Sequence, residues 1–285
     1  MIKALLISLL TATLAHAQYD ARTADYMRAW QIGAAMRGEL WTPADLGDDL
    51  ALWLDASDAG TLWADTAATT AATNGGAVAR WDDKSGNDNN ATQTTVDSRP
   101  KRSGNRLDFD GTDDWFSVSE FAGQRSNTVA VVAMTRTTAT NQRILSESDN
   151  NVTGGGLDLR YQATGKLRYW GQTATPVTDT SEVITSDVHS LIIATEGDSR
   201  TIYHNGRLNV TTTPNIGNRD AANPRIGNSA FFGTFLNGQI SELIITRSES
   251  SLETAQLIDG YLAHKWGLTA NLPSDHPYKD NPPTK

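Results

Sequence analysis

The chain of 285 residues contains no cysteine. That absence excludes disulfide bonds, thiol nucleophiles and cysteine-ligated metal sites. Basic residues are also few, since 24 lysines and arginines stand against 33 aspartates and glutamates and give a formal net charge of −9. A protein that binds a phosphate backbone needs a basic face, so this charge balance disfavours nucleic acid as a partner.

Recognisable catalytic motifs are missing as well. The sequence has no Gly-x-Ser-x-Gly elbow, no His-Glu-x-x-His pair, no P-loop and no Gly-x-Gly-x-x-Gly fingerprint. It also has no heptad seam of the kind that would assemble a coiled coil. These absences favour a protein that is not an enzyme, and they leave its oligomeric state open.

The first 17 residues have the layout of a secretory signal. Lys3 is a basic start, residues 4–14 are apolar, and Ala15-His16-Ala17 is a small-residue cleavage pattern. A retained apolar helix that inserts into a larger assembly is the alternative interpretation. Residues 18–45 predict a helical arm and a connector, because apolar residues recur at helical spacing and no strand pattern is present.

Residues 46–267 predict one globular domain made of short strands. Runs of apolar, β-branched and aromatic residues alternate there with turns rich in Asn, Gly and Asp. Asn205-Gly206 is the sequence of a tight hairpin turn, and Asn237-Gly238 predicts a turn ahead of the last strand. The predicted strands are 50–54, 78–81, 107–110, 115–118, 128–136, 143–147, 157–161, 166–170, 190–195, 200–204, 207–210, 224–228 and 239–246.

A short amphipathic helix is predicted after the last strand. Ser250 or Ser251 can serve as its N-cap, and Gly267 is its stop. Its apolar positions follow helical spacing: Leu257, Ile258, Tyr261, Leu262 and Trp266. Residues 268–285 are rich in proline and predict a tail that lies on the surface or is disordered.

Four segments in this order carry a family resemblance: residues 50–58, 81–93, 107–115 and 236–278. The second reads WDDKSGNDNNATQ and the third LDFDGTDDW. Together they resemble laminin-G-like, or concanavalin A-like, jelly-roll domains of bacterial surface proteins and phage particle proteins. The resemblance implies an all-β fold, a two-sheet antiparallel jelly-roll sandwich, here with a short C-terminal helix and an N-terminal helical arm.

The resemblance also implies a function, because this fold usually binds and seldom catalyses. Glucanases of the superfamily carry Glu-x-Asp-x-x-Glu on one strand, and here Glu147 and Asp149 supply only its first half. We expect a non-catalytic module for cell-surface polysaccharide, displayed on a virion as a spike, fibre or decoration. Residues 1–40 would then contact other virion or surface proteins. A secreted bacterial adhesion or matrix protein is the alternative, and a divergent glycoside hydrolase is the third.

Two loops offer oxygen atoms for a Ca²⁺ ion, which takes six to eight such ligands. The first loop contains Asp82, Asp83, Asn87 and Asp88, and Asp110 belongs to a second acidic turn further along the chain. The alternative is purely structural, because Asp and Asn side chains form turns by bonding the local backbone. The ion would be shared only if the two loops meet.

One predicted hairpin offers a glycan platform. Side chains alternate along a strand, so Asp158, Arg160, Arg168 and Trp170 share the face opposite the leucines. Trp115 is a further aromatic candidate for stacking against a sugar ring. The alternative is a solvated face with cross-strand salt bridges and no ligand.

Overall fold

The structure is a computed structural model that describes residues 39–119, 127–147, 157–170, 177–182, 188–196, 199–212, 224–230 and 233–285. The predicted signal and most of the helical arm therefore lie outside the described residues. Within these ranges no helix is long and apolar enough to cross a membrane.

Antiparallel strands make up most of the described chain. Their bounds are β1 Leu50–Asp55, β2 Leu62–Trp63, β3 Arg80–Trp81, β4 Ala91–Thr92, β5 Lys101–Ser103, β6 Arg106–Asp110, β7 Phe116–Ser117, β8 Asn127–Thr135, β9 Gln142–Ser146, β10 Asp158–Tyr161, β11 Lys166–Trp170, β12 Val177–Glu182, β13 His189–Glu196, β14 Ser199–His204, β15 Arg207–Thr212, β16 Arg225–Ile226 and β17 Asn237–Thr246. The mostly β, antiparallel fold is confirmed; jelly-roll connectivity stays a prediction.

The strands form two sheets that share one apolar core. The first sheet has the order β15-β14-β13-β8-β17-β6-β5, and the second has the order β12-β11-β10-β9-β16-β7-β4-β3-β2. Strand β17 is long enough to pair with β6 through residues 237–240 and with β1 through residues 242–246. The core between the sheets takes buried side chains from both, among them Phe109, Phe116 and Tyr161.

A second apolar cluster lies on the outer side of the first sheet, under helix α1 (Leu252–Trp266). Ser251 is the N-cap, its hydroxyl accepting from the amide of Thr254, and Gly267 in the left-handed conformation ends the helix. Both ends agree with the sequence prediction. Tyr261 and Trp266 are buried against the sheet, so the helix is held by packing.

A buried ionic cluster sits at the centre of this helix–sheet interface. The Glu242 carboxylate accepts from the indoles of Trp53 and Trp266 at 2.7 and 2.6 Å and from the Tyr261 hydroxyl at 2.8 Å. The ammonium of Lys265 lies 2.9 Å from the Glu242 carboxylate and 2.7 Å from that of Asp55. Every oxygen of Glu242 is therefore satisfied although the residue has no exposed surface.

The C-terminal segment 268–285, predicted as a tail that lies on the surface or is disordered, is ordered and packs against the helix. Leu268 and Leu272 are buried in the helix-side cluster, and the Lys279 ammonium donates to three backbone carbonyls of residues 269–272. Thr284 forms a bridge with Leu40. Gly267 ends the helix as expected, and the chain then folds back onto it.

Trp41, in the predicted connector, is buried in the helix-side cluster, and its ring packs edge-on against Tyr261 with centroids 6.0 Å apart. One further prediction is corrected. Asn237-Gly238 was expected to form a turn and instead begins β17. Gly238 is needed there because an added Cβ would collide with the backbone carbonyl of Met134 on the adjacent strand.

Replacing the central lysine should destabilise the fold strongly. We expect Lys265→Met to lower the free energy of unfolding by about 3 kcal/mol or more, because two buried carboxylates lose their shared cation. Urea unfolding followed by tryptophan fluorescence measures the loss. Lys84→Met is the control: it also removes a cation near Asp55 but leaves Lys265 in place. Equal losses for the two variants would contradict the central role of Lys265.

Candidate functional site

The outer face of the second sheet carries a row of arginines in register. Arg143 of β9 lies directly opposite Arg160 of β10, which lies opposite Arg168 of β11. Cross-strand neighbours of this kind are close enough to interact, and like charges in such positions repel. We call these three residues the arginine row.

Asp158 is the carboxylate that holds two members of the row. Its Oδ2 accepts from Nε and Nη2 of Arg143 at 3.3 and 3.1 Å and from Nη1 of Arg160 at 3.2 Å. Arg143 also donates to the Thr234 hydroxyl. The guanidinium planes are therefore fixed in position before any ligand arrives.

The pKa values of two arginines in the row are lowered, in part because positive charges lie close together. Burial lowers the pKa of Arg143; the carboxylate of Asp158 opposes this shift, whereas the charge of Arg160 adds to it. Burial likewise lowers the pKa of Arg168, and the neighbouring Arg160 lowers it further. An anion placed over the row would reduce this repulsion.

The predicted glycan-binding residues of the hairpin lie on the expected face of the sheet, but most of that face is buried. Leu159, Tyr161, Leu167 and Tyr169 point into the core, so Asp158, Arg160 and Arg168 face away from it. Asp158 and Arg160 are only 7% and 6% exposed, however, and only Arg168 of the three is half-buried. Ion pairs therefore join Asp158 to Arg143 and Arg160 on this face, and Asp158 and Arg160 are buried there rather than solvated.

The two tryptophans of the prediction are placed differently. Trp170 pairs with Asp158 through its backbone, and its side chain lies outside the described residues. Trp115 stacks on Arg225, whose guanidinium carbon is 3.9 Å from the ring centroid. Arg225 pairs with Ser146, which also pairs with Asp158, so the Arg225–Trp115 stack continues the same face. Burial lowers the pKa of Arg225.

The loop predicted to bind Ca²⁺ is built as a set of turns. Asp83 accepts from the amides of Trp53, Ser85 and Asn89 and from the Ser85 hydroxyl, at 2.6 to 3.1 Å. Asn87 donates to the carbonyl of Leu50 at 2.8 Å. The loop therefore anchors the first strand through its side chains, as the structural alternative required.

Asp82 and Asp88, the other acidic residues of this loop, do not belong to the group of carboxylates at the second acidic turn. Asp82 is held by the Arg80 guanidinium at 2.5 Å and the Trp63 indole at 2.6 Å. Asp88 has a φ of 57°, which marks a turn position. Among the described residues, the Asp, Glu and His side chains that lie close enough together in a group of three or more to share an ion are Asp110, Asp113 and Asp114, and this group does not include Asp82, Asp83 or Asp88.

Asp110 and Asp114 also line a cleft of about 500 Å³ on the first sheet's side. The Arg136–Asp108 pair, with 2.5 Å between Nη2 and Oδ1, forms part of its wall. Burial raises the pKa of Asp114 to about 6, and the charges of Asp110 and Asp113 add to the shift, although the amide of Asp110 donates to Asp114 and opposes it. The cleft therefore holds a carboxyl group that titrates in the weakly acidic range.

Sequence reasoning missed Arg143 and Arg225. Arg143 was visible as the first residue of a predicted strand, and only the pairing register sets it opposite Arg160. Arg225 belongs to a two-residue strand that is recruited from far along the chain. The sequence predicts which side chains of one strand share a face, but it does not predict which residues of two strands lie opposite each other.

Comparison with known proteins gives one family and several distant structures. The model of the concanavalin A-like lectin/glucanases superfamily matches residues 110–254, just over half of the chain. No curated protein sequence matches.

Among solved structures, a Trypanosoma rangeli sialidase in complex with sialic acid is similar at a TM-score of 0.55 and 13% identity, with 76% of this chain and 32% of that chain covered. The binding domain of botulinum neurotoxin serotype D is similar at a TM-score of 0.50 and 12% identity, with 74% and 51% covered. This chain thus spans about a third of the sialidase. At such identities the likeness shows the fold alone.

The elevated pKa of Asp114 makes stability depend on pH. Its folded pKa lies above the ordinary value of 3.8, so its contribution is complete below that value and is lost as the pH rises through about 6. We expect Asp114→Asn, which keeps an acceptor for the amide of Asp110, to raise the melting temperature near pH 8 and to leave it nearly unchanged near pH 4. Thermal melts across this range measure the difference. Asp97→Asn, in the same cleft, should show little of this difference, and an unchanged pH profile in Asp114→Asn would refute the raised pKa of Asp114.

Proposed function

Because the chain belongs to the concanavalin A-like lectin/glucanases superfamily, we propose that it is a non-catalytic carbohydrate-binding protein. The ligand is a glycan that carries isolated carboxylate groups, and it binds at the outer face of the second sheet. The arginine row is the observation that carries the proposal. Three arginines lie in register on adjacent strands, and Asp158 holds two of them, in a chain whose net charge is −9.

The chemistry of arginine supports a carboxylate as the recognised group. A guanidinium presents paired donors that match the two oxygens of a carboxylate, and its planar geometry limits the entropy lost on binding. Asp158 already orients Arg143 and Arg160. Arg168 is the member with accessible surface, so it is the residue that we assign to direct contact with the ligand.

The Trp115–Arg225 stack supports a sugar as the body of the ligand. Trp115 is half-buried, and Arg225 covers one face of its ring, so the stack presents an aromatic ring and guanidinium donors side by side. Register places Arg225 two strands from Asp158, with β9 between them. A chain of two or three sugar units would extend from the arginine row to this stack.

The proposed role is binding without catalysis. The glucanase arrangement Glu-x-Asp-x-x-Glu does not occur in the sequence. The carboxyl group that titrates near pH 6, Asp114, belongs to the acidic turn rather than to the arginine row. Asp110, Asp113 and Asp114 are the residues that would hold a Ca²⁺ ion, because their carboxylates lie close together.

The setting that we propose is the surface of a phage or phage-like particle, where the protein would be a spike, fibre or decoration. Residues 1–40 would join it to other particle proteins, and the jelly-roll domain would contact the host glycan. The signal-like pattern of residues 1–17 supports the second candidate, a secreted bacterial adhesion protein. N-terminal sequencing of the native protein distinguishes them: we expect an intact arm, and a start at Gln18 would contradict attachment through residues 1–17.

Binding should distinguish sialyllactose from lactose, which lacks the carboxylate. We expect the wild-type protein to prefer sialyllactose and Arg168→Gln to weaken that binding about tenfold, since a charge-assisted hydrogen bond contributes about 1.5 to 3 kcal/mol. Isothermal titration calorimetry measures both ligands. Lys101→Gln is the matched control, because it removes one positive charge from the first sheet.

Two further measurements on the same samples test the other parts of the proposal. Addition of EDTA should leave binding at the arginine row unchanged, since the acidic turn is elsewhere. Prolonged incubation with polysaccharide should release no new reducing ends. Equal affinity for the two sugars, or equal losses in Arg168→Gln and Lys101→Gln, would overturn the site, and depolymerisation would overturn the non-catalytic role.

A further inference from the structure

Lys265 is a buried amine that lies between two carboxylates, and the proposed glycan binding does not use it. Its side chain is 4% exposed, and its Nζ atom lies 2.7 Å from Oδ2 of Asp55 and 2.9 Å from Oε2 of Glu242. Asp55 and Glu242 are directly paired across strands β1 and β17. An amine that loses its extra proton is a nucleophile, and a carboxyl group can accept it to form an amide. The contact between Lys265 and Asp55 therefore holds both reactants of an amide bond.

The carboxyl group of Asp55 is held as an acyl-transfer site holds a carbonyl group. Its Oδ1 atom accepts from the amide of Ser57 at 3.0 Å and from the Ser57 hydroxyl at 2.6 Å. Attack on Cγ places negative charge on this oxygen, and fixed donors aimed at such an oxygen stabilise the tetrahedral intermediate. The other oxygen, Oδ2, lies 3.1 Å from the ammonium of Lys84, whose side chain is 24% exposed. A water molecule formed from Oδ2 therefore lies next to a side chain that reaches the solvent.

Glu242 is placed to accept a proton from the amine. Its Oε2 atom lies 2.9 Å from Nζ of Lys265. Its other hydrogen bonds come from the neutral side chains of Trp53, Tyr261 and Trp266. Burial raises the pKa of Glu242, although the charge of Lys265 opposes the shift, and a general base works best when its pKa approaches the ambient pH.

We propose that Lys265 and Asp55 condense in the folded protein to form an isopeptide bond, with Glu242 as the residue that transfers the proton. The Lys265 ammonium first passes one proton to Oδ2 of Asp55, which leaves a neutral amine beside a neutral acid. The amine nitrogen then bonds to Cγ, and Glu242 takes a second proton from that nitrogen. Glu242 returns this proton to Oδ2, the bond between Cγ and Oδ2 breaks, and one water molecule leaves. The third proton stays on the amide nitrogen, and the two opposite charges of the reactants are cancelled.

The buried setting favours the uncharged product. Condensation replaces two charges that are costly to hold in the interior by a neutral amide. The two groups are already in contact, so the reaction needs no encounter between separate molecules. Burial raises the pKa of Asp55, but the charges of Lys265 and Lys84 overcome this effect and hold it at about 2, so the neutral amine and acid are the minor form of the pair. We therefore expect the bond to form slowly after folding.

The bond would close the domain covalently in a chain that has no cysteine for a disulfide. Asp55 is the last residue of β1, and Lys265 lies in the last turn of helix α1, so the link encloses most of the sandwich. A crosslink across a long stretch of chain restricts the unfolded state and so stabilises the folded one. The proposal is independent of glycan binding, because the arginine row lies on the other sheet.

Mass spectrometry of the intact, denatured chain tests the bond directly. We expect the full-length protein, incubated in its folded state, to weigh one water molecule less than its amino-acid sequence requires. Protease digestion should then yield a linked pair of peptides that contain Asp55 and Lys265. Lys265→Arg keeps a cation between the carboxylates but cannot lose its proton to become a nucleophile, so it should keep the full mass. Glu242→Gln should form the bond about a hundredfold more slowly, because it removes the general base.

Two further variants serve as controls, and the melting temperature of every variant is recorded to confirm folding. Lys279→Arg changes another lysine of the C-terminal region, whose ammonium donates to backbone carbonyls, and it should lose water as the wild type does. Asp55→Asn should reach the same final mass as the linked wild type, because an amide side chain releases ammonia and leaves the same bond. Full mass in the wild-type protein, or a loss of water that persists in Lys265→Arg, would overturn the proposal.

Discussion

The buried triad of Asp55, Glu242 and Lys265 is the contact on which the arrangement of the domain depends. Strands β1 and β17 supply the two carboxylates, and helix α1 supplies the cation, so three distant parts of the chain meet at one ammonium. The charges of Lys265 and Lys84 overcome the effect of burial and hold the pKa of Asp55 at about 2. Breaking such a group leaves an unpaired charge in the interior, and the cost of that charge selects one register for the helix on the sheet.

The two faces of the first sheet have different surroundings, because one faces the core between the sheets and the other faces the helix and the buried triad. Along β17, Leu243 and Ile245 point into the core between the sheets, whereas Glu242 and Ile244 point towards the helix. The helix covers only part of the outer face, and the β14–β15 hairpin and the tail extend beyond its N-terminal turns. A groove lies between these three elements, because they meet at an edge where the helix alone cannot cover the sheet.

Local patterns were enough for most of the long strands and for the helix, because alternation and capping are encoded within a few residues. The six-residue strand β12 was not predicted. The short strands β2, β4 and β5 were missed as well, because they exist only through pairing with distant partners. The Ca²⁺ hypothesis for the Asp82–Asn90 loop took its oxygen-rich composition as a sign of ligands, yet Asp83 uses its oxygens on backbone amides. The sequence predicted only part of the candidate site. Alternation along the strands places Arg160 and Arg168 on one face, whereas only the pairing register between β9 and β10 places Arg143 beside them.

The overall charge of −9 limits what the arginine row can bind. At distances beyond the Debye length of about 8 Å the chain's field is screened, but a dense polyanion brings many of its charges inside that distance and meets the acidic surface as well. A mostly neutral glycan with one carboxylate brings only the charge that the arginines address.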